Sequence, residues 1–287
     1  MVNIPNNLSD ELNNLKIASI NKSNSIPIIS TDKVMEIAKK HSLSPHQLEI
    51  AALQHKIMPA RYERNYDSIS FSEQVLLLNS TVAVVGCGGL GGNIIEMLAR
   101  LGIGNLIVID GDVFNESNLN RQLLCTEKTI SKGKAEIAAA RIKQINSSIN
   151  TRTYSQFVNS GNIDGLLQGS DIVVDALDNI NARLELQKSC KSFEIPLIHG
   201  AINNFNGQVS TILPNDRGLE IIYGSSEKYS EANKNRRVSV PSFTPAMVAS
   251  FQVAEVTKVL LKRGELLRNK LLLINLETID INVLEIG

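Results

Sequence analysis

No apolar run in the 287-residue chain reaches the roughly 18 residues that argue for a membrane span. The opening MVNIPNNLSDELNN has no basic start followed by an apolar stretch, so an ordinary secretion signal is not expected either. There is no charge excess: 29 Lys and Arg stand against 29 Asp and Glu. Non-specific nucleic-acid binding needs a basic surplus, and a balanced chain argues against it. Cysteine is scarce. Cys87, Cys125 and Cys190 form no CxxC pair, and an odd, sparse set fits a reducing cytoplasm better than a disulfide scaffold. Internal repeats and long low-complexity tracts are missing too. What remains is a chain with 43% hydrophobic residues, enough for one large α/β domain with a small appendage, and too apolar for disorder.

The chain is organised around residues 81–121. A β-branched run, Thr81 to Val85, ends at a glycine cluster. A helix-period stretch follows, with Ile94, Ile95, Leu98 and Leu101 on one side, and a second apolar run, Leu106 to Ile109, ends at Asp110. Strand, glycine turn, helix, strand and acid make the dinucleotide-type βαβ fingerprint in its required context. Gly86 serves the tight turn, Gly88 lets backbone approach phosphate, and Gly91 lets the helix lie close to the sheet. The helix start offers unpaired N–H groups to an anion, and Asp110 can accept bonds from ribose hydroxyls.

Strand and helix patterns continue to alternate. A helix is expected over Lys134–Ile145, a strand over Thr151–Phe157, a short strand Ile172–Asp175, a helix Ala182–Phe193 and a strand Pro196–His199. The fold class is therefore α/β: a doubly wound, mostly parallel, Rossmann-like sheet. Gly207–Leu213 and Leu219–Tyr223 read as antiparallel strands extending it, Gly224–Arg237 as a loop, Thr244–Leu261 as a helix capped by Thr244, and Leu271–Leu276 with Ile279–Ile286 as a closing hairpin. Upstream, residues 1–30 read as a loosely ordered lead-in with one added strand at Ile26–Ile29. Thr31-Asp32 and Ser44-Pro45 start two helices, Met58-Pro59-Ala60 is a break, and Phe71–Asn79 is a short amphipathic helix. This divides the chain into a small N-terminal helical appendage, 1–57, and a nucleotide-binding domain, 58–287.

Beyond Asp110 the chain carries Asp112, then SNLNRQ (Ser117 to Gln122), then Lys132-Gly133-Lys134. Arg121 and Lys134 beyond a nucleotide pocket suit exposed phosphates and developing negative charge, which hydride transfer does not demand. With the RYERN segment at 61–65 and DALDN at 175–179, the chain over about 61–287 resembles the ThiF/MoeB/HesA proteins and the adenylation domains of ubiquitin-activating enzymes. The resemblance implies an ATP-dependent adenylyltransferase. Its substrate would be the C-terminal glycine carboxylate of a small ubiquitin-like sulfur carrier, made into an acyl-adenylate with release of pyrophosphate. It implies a homodimer in which Arg64 reaches the partner's ATP phosphates, with Asn65 where the family has Gln. Gly86, Gly88, Gly89, Gly91, Asp110, Asp112, Asn118, Arg121, Gln122 and Lys134 would bind the nucleotide. Asp178 would hold Mg²⁺; capping the following helix is a lesser alternative that does not exclude it. Many relatives carry two CxxC pairs for a structural zinc; here the ligands are missing, so none is expected.

Relatives with a catalytic cysteine carry it in the loop before the last helix, and 224–243 contains none. Cys87 and Cys190 read as small core residues and Cys125 as partly exposed, so adenylation without a covalent enzyme intermediate is expected. His41, His46 and His55 read as surface or packing residues. His199 ends a strand beside the site, where it is either structural or touches the substrate tail. Two other readings stand: adenylation of another carboxylate, such as a ribosomal peptide or a tRNA-linked threonylcarbamoyl group, and an NAD-dependent dehydrogenase, which GxGxxG and Asp110 allow.

Overall fold

The computed structural model describes residues 6–20, 26–224 and 239–286. Helix α1 (Asn6–Ile20) corrects the expected loose lead-in. Its Asn-rich sequence hides a short apolar stripe: Leu8 and Leu12, one turn apart, are fully buried against Val34, Ile37, Leu48 and Ala51. Tertiary contact stabilises this helix where local propensity would not. Strand β1 (Ile28–Ile29) pairs in parallel with β2 (Met58–Pro59), so the expected break at Met58 is a short strand. Helix α2 (Thr31–Lys40) is capped by Ser30, whose Oγ accepts from Lys33 N, and not by Thr31 or Asp32. Helix α3 (Pro45–Gln54) starts with a reciprocal Ser44–Gln47 capping box and Pro45 in its first turn. A 3₁₀ turn (Ala60–Asn65) and α4 (Phe71–Asn79) lead into the sheet.

The central unit is as the pattern predicts. Strand β3 (Thr81–Val85), helix α5 (Gly89–Leu101) and strand β4 (Asn105–Ile109) form a βαβ unit. Then come α6 (Lys134–Ile145), β5 (Asn150–Tyr154), α7 (Ile163–Leu167), β6 (Ile172–Asp175), α8 (Ile180–Ser192), β7 (Leu197–Asn203) and β8 (Asn206–Ile212). Helices α9 (Leu219–Tyr223) and α10 (Phe243–Leu261) precede a hairpin of β9 (Lys270–Asn275) and β10 (Asp280–Glu285). The eight-stranded order is β10-β9-β8-β7-β6-β3-β4-β5. From β5 to β7 the strands are parallel; β8, β9 and β10 extend the sheet antiparallel. Helices cover both faces. Val82, Val84, Leu106 and Val174 face α5 and α10, while Ala83, Val85, Ile107 and Val173 face α7 and α8. This two-sided burial is why β3, β4 and β6 read as continuous apolar runs instead of alternating ones.

Leu219–Tyr223, expected as a strand, is helix α9; Leu219 is buried beneath α8, and Gly218 at φ 63° breaks the chain away from β8. Helix α10 begins at Phe243, and Thr244 does not cap it: its hydroxyl donates to Asn204 O. Most of the loop expected at Gly224–Arg237 lies outside the described residues.

Candidate active site

Strand order reverses between β3 and β6, and the crevice beyond their carboxyl ends is where open α/β sheets take ligands. The glycine turn sits on that point. Gly86 has φ +99°, and a Cβ there would come 2.6 Å from Ala176 O at the end of β6. A Cβ on Gly91 would run into Gly86 O, so the helix lies directly against the turn. Gly88 and Gly89 face Gln122 and Pro245. Gly86 and Gly91 thus close the turn tightly against β6 and α5, while Gly88 and Gly89 leave its backbone at ordinary contact distance from its neighbours, a setting that suits an approaching phosphate.

Asp110 follows β4 and fastens the turn from the other side. Its Oδ2 accepts from Cys87 N at 2.7 Å and its Oδ1 from Asp112 N at 2.8 Å. Burial pushes its carboxyl above the usual range, against these two bonds. Each oxygen keeps a lone pair for a ribose hydroxyl. Asp112 Oδ2 accepts from Lys134 Nζ at 2.7 Å, and Lys134 N donates to Asp112 O. Asn118 closes a 3₁₀ turn (Glu116–Asn118) through a reciprocal box with Asn115, and its carbonyl accepts from both Arg121 N and Gln122 N. Gln122 is buried beside Gly88, with Nε2 its nearest atom to that glycine, and its Oε1 has no partner among the described residues. Arg121 is held by Ser117 O and the Asn120 side chain, each at 2.8 Å, with further donors left over.

Asp178 stands exposed beyond β6 and makes no hydrogen bond or ion pair among the described residues; Asn179, not Asp178, caps α8. A single free carboxylate beside a phosphate cradle fits Mg²⁺, which takes one or two carboxylates plus phosphate oxygens.

Arg64 is not brought to these residues. It lies exposed on the 3₁₀ turn at 60–65, whose Tyr62 abuts Gly102 at the far end of α5. The thirteen residues of α5 separate that end from the glycine cradle by about 20 Å.

Sequence reasoning placed His199 beside the site but missed its union with Asp175, Arg183, Gln208 and Tyr223 in one polar cluster. Asp175 and His199 are fully buried, with His199 Nδ1 2.7 Å from Asp175 Oδ2. His199 Nε2 lies 3.1 Å from Tyr223 OH, which also accepts from Gln208 and Arg183. Arg183 also donates to Leu177 O, fixing the segment that leads to Asp178. Burial drives the His199 pKa below its ordinary value, outweighing Asp175. His199 is fully enclosed, with both ring nitrogens engaged by Asp175, Gln208 and Tyr223. Its one sequence signal was a polar residue closing an apolar strand opposite Asp175. A cavity of about 630 Å³ lined by Ile180, Gln208, Tyr223 and strands β7–β10 shares Gln208 and Tyr223 with this cluster. Cys125, expected partly exposed, is buried, as are Cys87 and Cys190. Burial raises all three thiols, so none is poised as a nucleophile.

The sequence model of the ThiF family matches residues 62–287. The chain belongs to the ThiF family. This ThiF-family chain is 36% identical to the SAMP-activating enzyme E1 of Haloferax volcanii, over 74% of this chain and 79% of that protein. It is 34% identical to the molybdopterin-synthase adenylyltransferase of Haemophilus influenzae, over 75% and 89%. Among solved structures, E. coli MccB with ATP superposes with a TM-score of 0.70 at 26% identity, covering 79% of this chain and 72% of that one. The appendage before Arg61 lies outside the family match.

Proposed function

We propose that this chain is an ATP-dependent adenylyltransferase acting on the C-terminal glycine carboxylate of a small ubiquitin-like sulfur carrier. The supporting observation is the convergence of a glycine cradle, Asp110, Arg121, Lys134 and Asp178 at one switch point. A carboxylate oxygen attacks the α-phosphorus of ATP, the bond to the bridging oxygen breaks, and pyrophosphate leaves. Nucleophile and phosphates are both anionic, so the site needs cations placed before the reaction begins. Lys134 supplies a compact charge and Arg121 a planar fork. Asp178 would hold Mg²⁺, which when bound neutralises part of the triphosphate charge. The position of Arg64 at the remote end of α5 favours its service to a partner subunit's site in a cytoplasmic homodimer. The cavity lined by Ile180, Gln208 and Tyr223 suits an extended carrier tail. Residues 1–57 form an appendage and 58–287 the adenylation domain. The buried thiols favour release of the acyl-adenylate to a separate sulfur donor.

ATP–[³²P]pyrophosphate exchange tests this. Exchange should require a carrier ending in glycine. Tight NAD binding without ATP binding would overturn the reading, and exchange driven by a ribosomal peptide alone would move the substrate assignment.

A further inference from the structure

Phe157 has no part in the site as assembled above. It follows β5 by three residues, and its side chain is 68% exposed in a chain where only 4% of residues are aromatic. Both its backbone and its ring lie close against Gly111, the residue after Asp110: a Cβ at Gly111 would come 2.5 Å from Phe157 N and 2.7 Å from ring atoms Cγ and Cδ2. The backbone beneath it is anchored, with Asn162 Nδ2 donating to Phe157 O at 2.9 Å and Asn159 N donating to Asn162 Oδ1 at 2.9 Å. An exposed, flat, apolar face held on a fixed loop beside a ribose-binding acid is a surface awaiting a flat ligand.

Sheet order says which part of the ligand arrives there. The phosphate cradle ends β3, Asp110 ends β4, and Phe157 follows β5, and these strands are consecutive neighbours. Neighbouring strands lie about 4.8 Å apart. A nucleotide laid across their carboxyl ends puts phosphate on the first, ribose on the second and base on the third. We propose that Phe157 is the platform on which the base of the bound nucleotide stacks, with Gly111 leaving room for the Phe157 backbone and ring to approach the end of β4. Every base has a π face, so the ring supplies affinity and leaves the choice of adenine to other groups. This inference rests on the nucleotide reading of the crevice.

The chain contains no tryptophan, so Phe157→Trp introduces its sole indole. ATP should quench that indole, and inorganic tripolyphosphate should not. By calorimetry, Phe157→Ala should raise the Kd for ATP about tenfold, the typical value of one aromatic–base stack. The same variant should leave tripolyphosphate binding unchanged, and Phe157→Tyr should bind ATP as the wild type does. Unaltered ATP affinity in Phe157→Ala, or indole emission unmoved by saturating ATP, overturns the inference while ATP binding by the wild type stands. Equal losses for ATP and tripolyphosphate also overturn it, because they mark a collapsed loop. Failure of the wild type to bind ATP brings down the nucleotide reading itself.

Discussion

Lys134 Nζ lies 2.7 Å from Asp112 Oδ2, the lysine buried and the aspartate half exposed. Lys134 is also the first residue of α6, where the helix dipole disfavours a cation by about 0.3–1 kcal/mol. Stability alone would not choose a lysine there. Departures from local preference of this kind collect at functional sites. Lys134→Gln should therefore leave the unfolding free energy from urea titration within about 1 kcal/mol of wild type. Pyrophosphate exchange should fall roughly 30- to 1000-fold, the loss of about 2–4 kcal/mol of transition-state stabilisation. A stability loss larger than the loss in rate would make Lys134 structural.

Arg64 and its own cradle stand at opposite ends of α5. Arg64→Ala and Asp178→Ala should each abolish exchange. Mixing the two inactive variants should restore up to about a quarter of it, because a mixed dimer holds one site with both residues wild type. No recovery on mixing, after verified subunit exchange, would remove the cross-subunit role and leave the chemistry in place.

Glu49 joins the appendage to the domain. Its carboxylate is fully buried, 3.4 Å from Arg61 Nε, and accepts from Ser148 Oγ at 3.0 Å and Tyr62 OH at 3.3 Å. Burial raises its pKa above the ordinary 4.5 despite Arg61. The folded chain thus holds this proton more tightly than the unfolded one. The resulting stability is whole below about pH 4.5 and is lost as pH rises through the folded value. Glu49→Gln should flatten that part of the pH–stability curve. Arg61→Ala, which strands the buried charge, should cost about 3–5 kcal/mol at neutral pH and less in acid. Thermal melts from pH 4 to 8 read both; parallel curves for wild type and Glu49→Gln would refute the assignment.

Gly91 and Gly92 offer a matched pair. A methyl on Gly91 meets the Gly86 carbonyl, which cannot yield without opening the cradle. On Gly92 it meets the Leu124 side chain at 3.3 Å, which can shift by a few tenths of an ångström. Gly91→Ala should cost at least about 1–3 kcal/mol and eliminate ATP binding. Gly92→Ala should bind ATP near wild-type strength. Equal calorimetric affinities for the two variants would show that the cradle does not depend on this close approach.

Much of this protein is written in short stretches of chain. Periodicity over Thr81–Asp110 dictates strand, helix and strand, because apolar spacing decides locally which face an element can bury. The placing of the glycines, Asp110 and Lys134 about the ends of β3 and β4 was legible for the same reason, since it follows from backbone freedom and position relative to a strand end. Tertiary structure alone decided the rest. Leu8 and Leu12 make a helix only because α2 and α3 offer a surface for them. Leu219–Tyr223 is as apolar as a strand but is turned away at Gly218. Asp175 and Asp178 look alike in DALDN, yet one is buried against His199 and the other open to solvent. The remote place of Arg64, the burial of Cys125 and the rest of Phe157 on Gly111 likewise come from contacts between distant segments. Such contacts are set by strand order and packing, and nearest-neighbour spacing carries no record of either.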